Sequence, residues 1–272
     1  MRFLLFLILL SGCSTLVKVP EISAVEGSVN PQEAWRKVLA TYVDDKGRVN
    51  FEGLSRDPSQ LRIYVAYVAK EGPSNHPEKF TSKEQKLAYY LNSYNALSMY
   101  NIIDSGIPES LSGLKKVKFF YFKKFVIAGE EMSLYKYENS VIRAMGEERV
   151  HVALNCMSAG CPRLPKVPFM AQSLDTDLDK LAKYFFNESR NVQVDKEKKV
   201  MKVSEILSFF TDDFLKKAKN LVGYVNKYHT EKIPEDYEVE FIPYDWTVNA
   251  QPKVAPPSGK SLSNADQTES AS

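Results

Sequence analysis

The residues best suited to chemistry lie together in the middle of the chain, in the run Arg149-Val150-His151-Val152-Ala153-Leu154-Asn155-Cys156-Met157-Ser158-Ala159-Gly160-Cys161-Pro162. The 272 residues hold only three cysteines and three histidines, and this stretch contains Cys156, Cys161 and His151. A cysteine thiolate is a nucleophile and an imidazole is its usual base. One reading therefore makes Cys156 the nucleophile and His151 the base, with Asn155 or Glu138 orienting the ring. Arg149, His151, Ala153 and Asn155 alternate with Val150, Val152 and Leu154, which predicts a half-buried strand. On an extended strand Cys156 and His151 sit about 16 Å apart and emerge on opposite faces. The two meet only if the chain folds back after Asn155.

The N-terminus sets the expected compartment. Met1-Arg2 is followed by the apolar run Phe3 to Leu10 and then Leu10-Ser11-Gly12-Cys13. The run is too short to span a bilayer, which takes about 20 residues, but it suits a secretory signal. Small residues before Cys13 resemble the lipobox of bacterial lipoproteins. Residues 1–12 are therefore expected to be a signal peptide and Cys13 a lipidated first residue, and by that resemblance Ser14 favours the outer membrane, facing the periplasm. The implied partners are the membrane, through the lipid anchor, and an unidentified envelope ligand or protein.

With Cys13 acylated, Cys156 and Cys161 are an even pair in an exported protein, which predicts a disulfide. Closing so short a loop contributes roughly 2 kcal/mol by chain entropy. The spacing is not the C-x-x-C of thioredoxin-like sites. Two cysteines and one histidine leave tetrahedral zinc a ligand short, so neither a metal nor a cofactor is expected. In a third reading the domain only binds, and a polar cleft near His151 is lined by Asn92, Asn95, Arg149, Asn155, Ser158 and Asp245.

Charge is nearly balanced, 36 Lys+Arg against 34 Asp+Glu. The lysine pairs (115–116, 123–124, 216–217) show no aromatic interleaving on one predicted face, which argues against nucleic acid as a partner. Residues 13–29 read as a tether and 250–272 as a disordered tail poor in large apolar residues. Residues 30–249 are then one globular domain. Its helix signals are an Asn30-Pro31 start, a helix over 59–69, and a capping box at Thr81 to Glu84 that opens a long apolar helix to about Asp104. Helices are also expected at 134–145, 175–189, 204–210 and 212–228. Two short strands are expected within 115–128, a hairpin at 192–203 and a strand from Tyr237. The fold class is α+β, with several helices around a small, mainly antiparallel sheet. Asn92 and Asn95 fall on the apolar helix, where a buried amide must find partners or cost about 1–3 kcal/mol. They either pin a loop or face a ligand.

These segments together resemble the family catalogued as domain of unknown function 547. The matching residues are Tyr42-Val43-Asp44, Gly47 to Phe51, Asn92 to Leu97, Tyr137-Glu138, Ile142-Arg143, Arg149 to His151, Asn155 to Pro162, Tyr244 to Trp246, and Asn249. Where that family usually has Glu-His, this chain has Glu138-Asn139. If the family's histidine is catalytic, that step is lost here. In layout, a buried helix followed by Val-His-Val is similar to papain-like and transglutaminase-like hydrolases, but no cysteine begins this helix. The sequence reading is thus an envelope lipoprotein with a ligand- or partner-binding cleft near His151. The alternative is a thiol- or His-dependent hydrolase of an envelope substrate.

Overall fold

The computed structural model describes residues 14–252. The expected signal at 1–12, Cys13 and the tail from 253 lie outside the described residues. In chain order the helices are α1 (Ala24–Gly27), α2 (Pro31–Tyr42), α3 (Phe51–Arg56), α4 (Ser59–Lys70), α5 (Lys83–Asp104), α6 (Leu114–Val117), α7 (Leu134–Lys136), α8 (Leu174–Asn187), α9 (Ile206–Phe209), α10 (Thr211–Leu215) and α11 (Leu221–Val225). The strands are β1 (Thr15–Leu16), β2 (Lys123–Ile127), β3 (Glu130–Ser133), β4 (Val192–Asp195), β5 (Val200–Ser204) and β6 (Glu238–Ile242). The class is α+β. The strands form two three-stranded sheets, β1-β2-β3 and β4-β5-β6, each with one parallel and one antiparallel pair.

Local chemistry explains the element starts. Asn30 accepts the amides of Gln32 and Glu33 at 2.9 and 3.3 Å, and Pro31 fills a first-turn position that needs no donor. The capping box of α5 uses Ser82 with Gln85, one residue later than the sequence suggested. The predicted tether is partly built into the fold: β1 pairs with β2 and Val17 is buried in the core. Residues 118–122, expected as strand, instead continue α6 as a wide π-type turn. After α7 the helix likewise widens over Tyr137–Ile142 before tightening at Arg143–Met145.

Two apolar clusters form the interior. The first gathers α2, α4 and α5 around Trp35, Tyr64, Leu91 and Leu97. The second gathers α8, β5 and α9 to α11 around Phe186, Met201, Leu207 and Phe214. The chain from 148 to 157 lies between them, and there the predicted strand is corrected. Glu148–Val152 is a short 3-10 helix, opened by Glu147, whose carboxylate accepts the Arg149 amide at 3.2 Å. Its alternation has a different cause from a sheet: Val150 plugs into the first cluster and Val152 into the second.

The two helix asparagines pin loops. Asn92 accepts from Trp35 Nε1 at 3.1 Å and from the Phe169 amide at 3.0 Å, and it donates to the Phe169 carbonyl at 2.8 Å. Asn95 donates to the Ala153 carbonyl at 3.1 Å and accepts the Asn155 amide at 2.8 Å. Asn92→Leu would leave three buried groups unpaired, each costing about 1–3 kcal/mol. The expected loss is about 3 kcal/mol or more, read as a lowered urea midpoint with an unchanged slope.

Candidate functional site

A cavity of about 370 Å³ opens between the two clusters. Tyr94 of α5 and Leu154 contribute to one side, and Phe209 and Phe210 to another. Glu138, His151, Cys156 and Cys161 all line it. The 3-10 turn and the loop that follows it thus bring His151 and Cys156 to one cavity, with no hydrogen bond between them among the described residues.

That loop is held by the C-terminal segment. Asn155 accepts the Met157 amide at 2.8 Å and donates to the Pro162 carbonyl at 2.7 Å, which fixes Met157 at a left-handed φ of +68°. The Ala159 and Gly160 amides bond to Thr247 and Asp245 carbonyls at 2.7 and 2.8 Å. A Cβ on Gly160 would meet the Asp245 nitrogen at 2.8 Å, so only glycine lets the two segments close. This pairing brings Tyr244 over the cysteines. Its hydroxyl lies 2.9 Å from Cys161 Sγ and 3.4 Å from Cys156 Sγ.

Cys156 and Cys161 are free thiols with sulfurs 3.1 Å apart. The expected disulfide is thus not formed in this structure. Instead Cys161 Sγ accepts the Cys156 amide at 3.1 Å, and the two sulfurs share a hydrogen bond. That bond from Cys161, with the Ser158 and Tyr244 hydroxyls, outweighs burial and pulls the Cys156 thiol below its usual range. Burial, and then the neighbouring Cys156, push Cys161 well up. One proton shared between the pair leaves the charge on Cys156, the less buried of the two residues.

His151 stacks flat on Phe210, with ring centroids 3.9 Å apart. Its Nε2 lies 3.0 Å from Asp213 Oδ2. The carboxylate partner is therefore Asp213 of α10 and not Glu138. Asp213 also accepts from Arg143 Nε at 2.7 Å and from Lys216 Nζ at 3.0 Å. The His151 hydrogen bond comes first among the causes that hold its carboxyl far below the usual range. With Arg143 already neutralising Asp213, burial dominates at His151 and lowers its pKa. The neutral ring donates Nε2–H to the carboxylate, so Nδ1 is the basic nitrogen. It is buried and has no hydrogen-bond partner among the described residues.

Glu138 sits on the π-type turn and accepts the Tyr94 hydroxyl at 2.8 Å. Burial raises its carboxyl to about 7. The Cys156 charge adds to that rise, while Tyr94 and Arg143 oppose it. The cavity therefore holds a thiol that ionises early, a carboxyl that ionises late and a neutral imidazole. Groups pushed apart in this way can take different proton-transfer roles.

The other predicted residues serve the frame. Asn92, Asn95 and Asn155 pin backbone, as described. Arg149 is tied to Glu147, Asp175 and Asp179 outside the cavity. Ser158 lies 3.4 Å from Cys156 Sγ, and Asp245 is exposed and caps the Thr247 amide. Sequence reasoning missed Asp213 and the phenols of Tyr94 and Tyr244. Asp213 stands in an Asp-Asp pair at a helix start, which reads as ordinary capping. Among the described residues no group of three His, Cys, Asp or Glu side chains is arranged to hold a metal ion, and no helix is long and apolar enough to cross a membrane.

The raised Glu138 carboxyl gives a signed pH dependence. The folded state holds this proton more tightly than the unfolded chain. Its stabilising contribution is complete below the unfolded value near 4.5 and is lost as pH rises through about 7. Glu138→Gln should match the parent's melting temperature at pH 4 and exceed it increasingly up to pH 8. Parallel melting curves for the two proteins across that range would count against a buried late-ionising carboxyl.

Searches among curated proteins and among solved structures returned no match. The family described as "Protein of unknown function, DUF547" matches residues 77–186, a span that holds α5, the Glu138 turn, His151 and both cysteines. Over that span the chain is similar to the DUF547 family.

Proposed function

We propose that this protein is a thiol-dependent acyl hydrolase with Cys156 as its nucleophile. The observation that carries this is the convergence of Cys156, Glu138 and His151 on one cavity, with Asp213 bonded to the His151 ring. The Cys156 thiolate adds to the substrate carbonyl. Collapse of the adduct breaks the bond to the leaving group, which takes the proton held by Glu138 and leaves an acyl thioester. Water then adds to the thioester carbonyl and gives up a proton to His151, which lines the cavity, and the thiolate is expelled as the acid forms. The imidazolium returns its proton to Glu138 through solvent, so one water is consumed for each acyl bond broken. Asp213 acts as a positioning residue that fixes the His151 tautomer.

Turnover is to be sought with p-nitrophenyl esters and acyl thioesters of graded chain length. Cys156→Ala should lower kcat at least about 100-fold and remove a covalent acyl adduct seen by intact mass, and His151→Gln should lower kcat about 100-fold. Iodoacetate should alkylate Cys156 at a pH below the usual thiol range and spare Cys161 until the protein unfolds.

A second reading, a binding domain without turnover, is favoured by Asn139, which lines the cavity where the resembled family has histidine. A wild-type protein that forms no adduct with any ester or thioester would support it. In either reading we place the protein in the envelope, lipidated at Cys13, on the strength of the N-terminal sequence. Metabolic labelling with a fatty acid should mark the full chain, and Cys13→Ala should abolish the label.

A further inference from the structure

The hydrolase chemistry leaves unexplained the stretch that borders the cavity, residues 114–122, Leu-Lys-Lys-Val-Lys-Phe-Phe-Tyr-Phe. Phe119 and Phe120 point inward and are buried. The rest turns outward: Leu114 is 88% exposed, Tyr121 46% and Phe122 41%, with Val117 beside them. Tyr135 stacks on Tyr121 at 4.4 Å and is itself exposed, so the apolar surface is continuous across two segments. Isolated domains seldom leave so many large apolar side chains together in water.

Lysines interleave with these side chains. Lys115 and Lys118 are exposed. Lys123 nearby is buried and paired with Asp104, whereas Lys115, Lys116 and Lys118 form no ion pair among the described residues. The mixture discriminates between occupants. Protein interfaces are depleted in lysine. Bilayer surfaces favour lysine, whose stem lies on apolar atoms while its ammonium reaches lipid phosphates, together with aromatic side chains at headgroup level.

The start of the described chain lies at the same edge. β1 pairs with β2 in the register Thr15 to Lys123 and Leu16 to Lys124, and Leu16 is 46% exposed. The described chain therefore enters the fold directly beside residues 114–122.

We propose that residues 114–122, with Tyr135, form a contact surface for an anionic lipid bilayer. Lys116, Phe120, Tyr121 and Tyr135 also line the cavity, so such contact sets the cavity mouth against the lipid. If the hydrolase reading holds, its substrate is then an amphiphile whose acyl group is drawn from the membrane. The surface itself does not depend on that reading.

Hydrogen exchange of the full chain with phosphatidylglycerol/phosphatidylcholine vesicles tests this. It reports residues 114–122 separately from anything the N-terminal residues do. Residues 114–122 should gain protection with the anionic vesicles and much less with phosphatidylcholine alone, and about 0.5 M NaCl should reverse most of the gain. Leu114→Asp/Lys115→Glu/Lys118→Glu changes only exposed positions, and it should raise the lipid concentration needed at least about tenfold. Unaltered exchange at 114–122 with anionic vesicles would overturn the proposal. So would equal protection in the triple variant. Protection that grows with protein concentration without vesicles, alongside a dimer in sedimentation, would assign the face to a second copy instead. Ester turnover is a separate readout, so loss of either result leaves the other standing.

Discussion

The site depends first on a single amide. Asn95 of α5 ties the Ala153 carbonyl and the Asn155 amide to a helix that is itself buried on almost every side. Those two backbone groups bracket the bend after the 3-10 turn, and no sheet or helix satisfies them. Without the amide the bend would carry a buried donor and acceptor unpaired, at about 1–3 kcal/mol each. With it, the chain turns back and His151 and Cys156 reach one cavity. Asn155 repeats the device one step on, holding Met157 and Pro162 so that the cysteine loop closes. The irregular backbone is thus over-determined by side-chain amides, which is what a left-handed Met157 requires.

Electrostatics in the cavity follow from how donors are distributed around three acidic groups. Asp213 accepts from His151, Arg143 and Lys216 and is held ionised. That concentration of positive charge leaves His151 no need to be cationic, and burial decides its state. Glu138 has one phenol and an apolar surround, so desolvation decides there too, but in the opposite direction for an acid. Cys156 has three hydroxyl or thiol donors close by, which overcome burial. Glu138 and Cys156 both line the cavity, and the donors around each decide which way its pKa moves.

The sequence carried the parts of the fold that rest on local chemistry. The Asn30-Pro31 start, the 192–203 hairpin and the apolar helix α5 all appear where caps, turn residues and periodicity predicted them. It misled at 149–155, where alternation arose from packing between two separate cores and not from a strand. Period two records which side of a segment is buried, and a residue plugged into either of two clusters gives the same pattern. Glu138, His151 and Cys156, singled out by residue type and by the family resemblance, do come to line one cavity. Asp213 was not legible, because its contact with His151 spans 62 positions and depends on how α10 packs. The wide helical turns at 118–122 and 137–142 were also invisible, since an extra residue in a turn leaves no compositional mark.

Those wide turns bear on the position where the resembled family has histidine. A π-type turn rotates the following side chains and often marks a working surface. Here it carries both Glu138 and Asn139 on the cavity wall. Asn139 donates to the Tyr135 carbonyl at 2.9 Å and accepts from Arg143 Nη1, so it helps aim the guanidinium whose Nε binds Asp213. A protonated imidazole at 139 would repel Arg143, and a neutral one would offer a single acceptor in a different direction. Asparagine instead satisfies one donor and one acceptor at once, without charge. Burial keeps His151 neutral against the pull of Asp213, and the Arg143 contact that offsets that pull is reinforced by the very residue that departs from the resembled pattern. On this geometry Asn139, Arg143, Asp213 and His151 form one connected hydrogen-bond network.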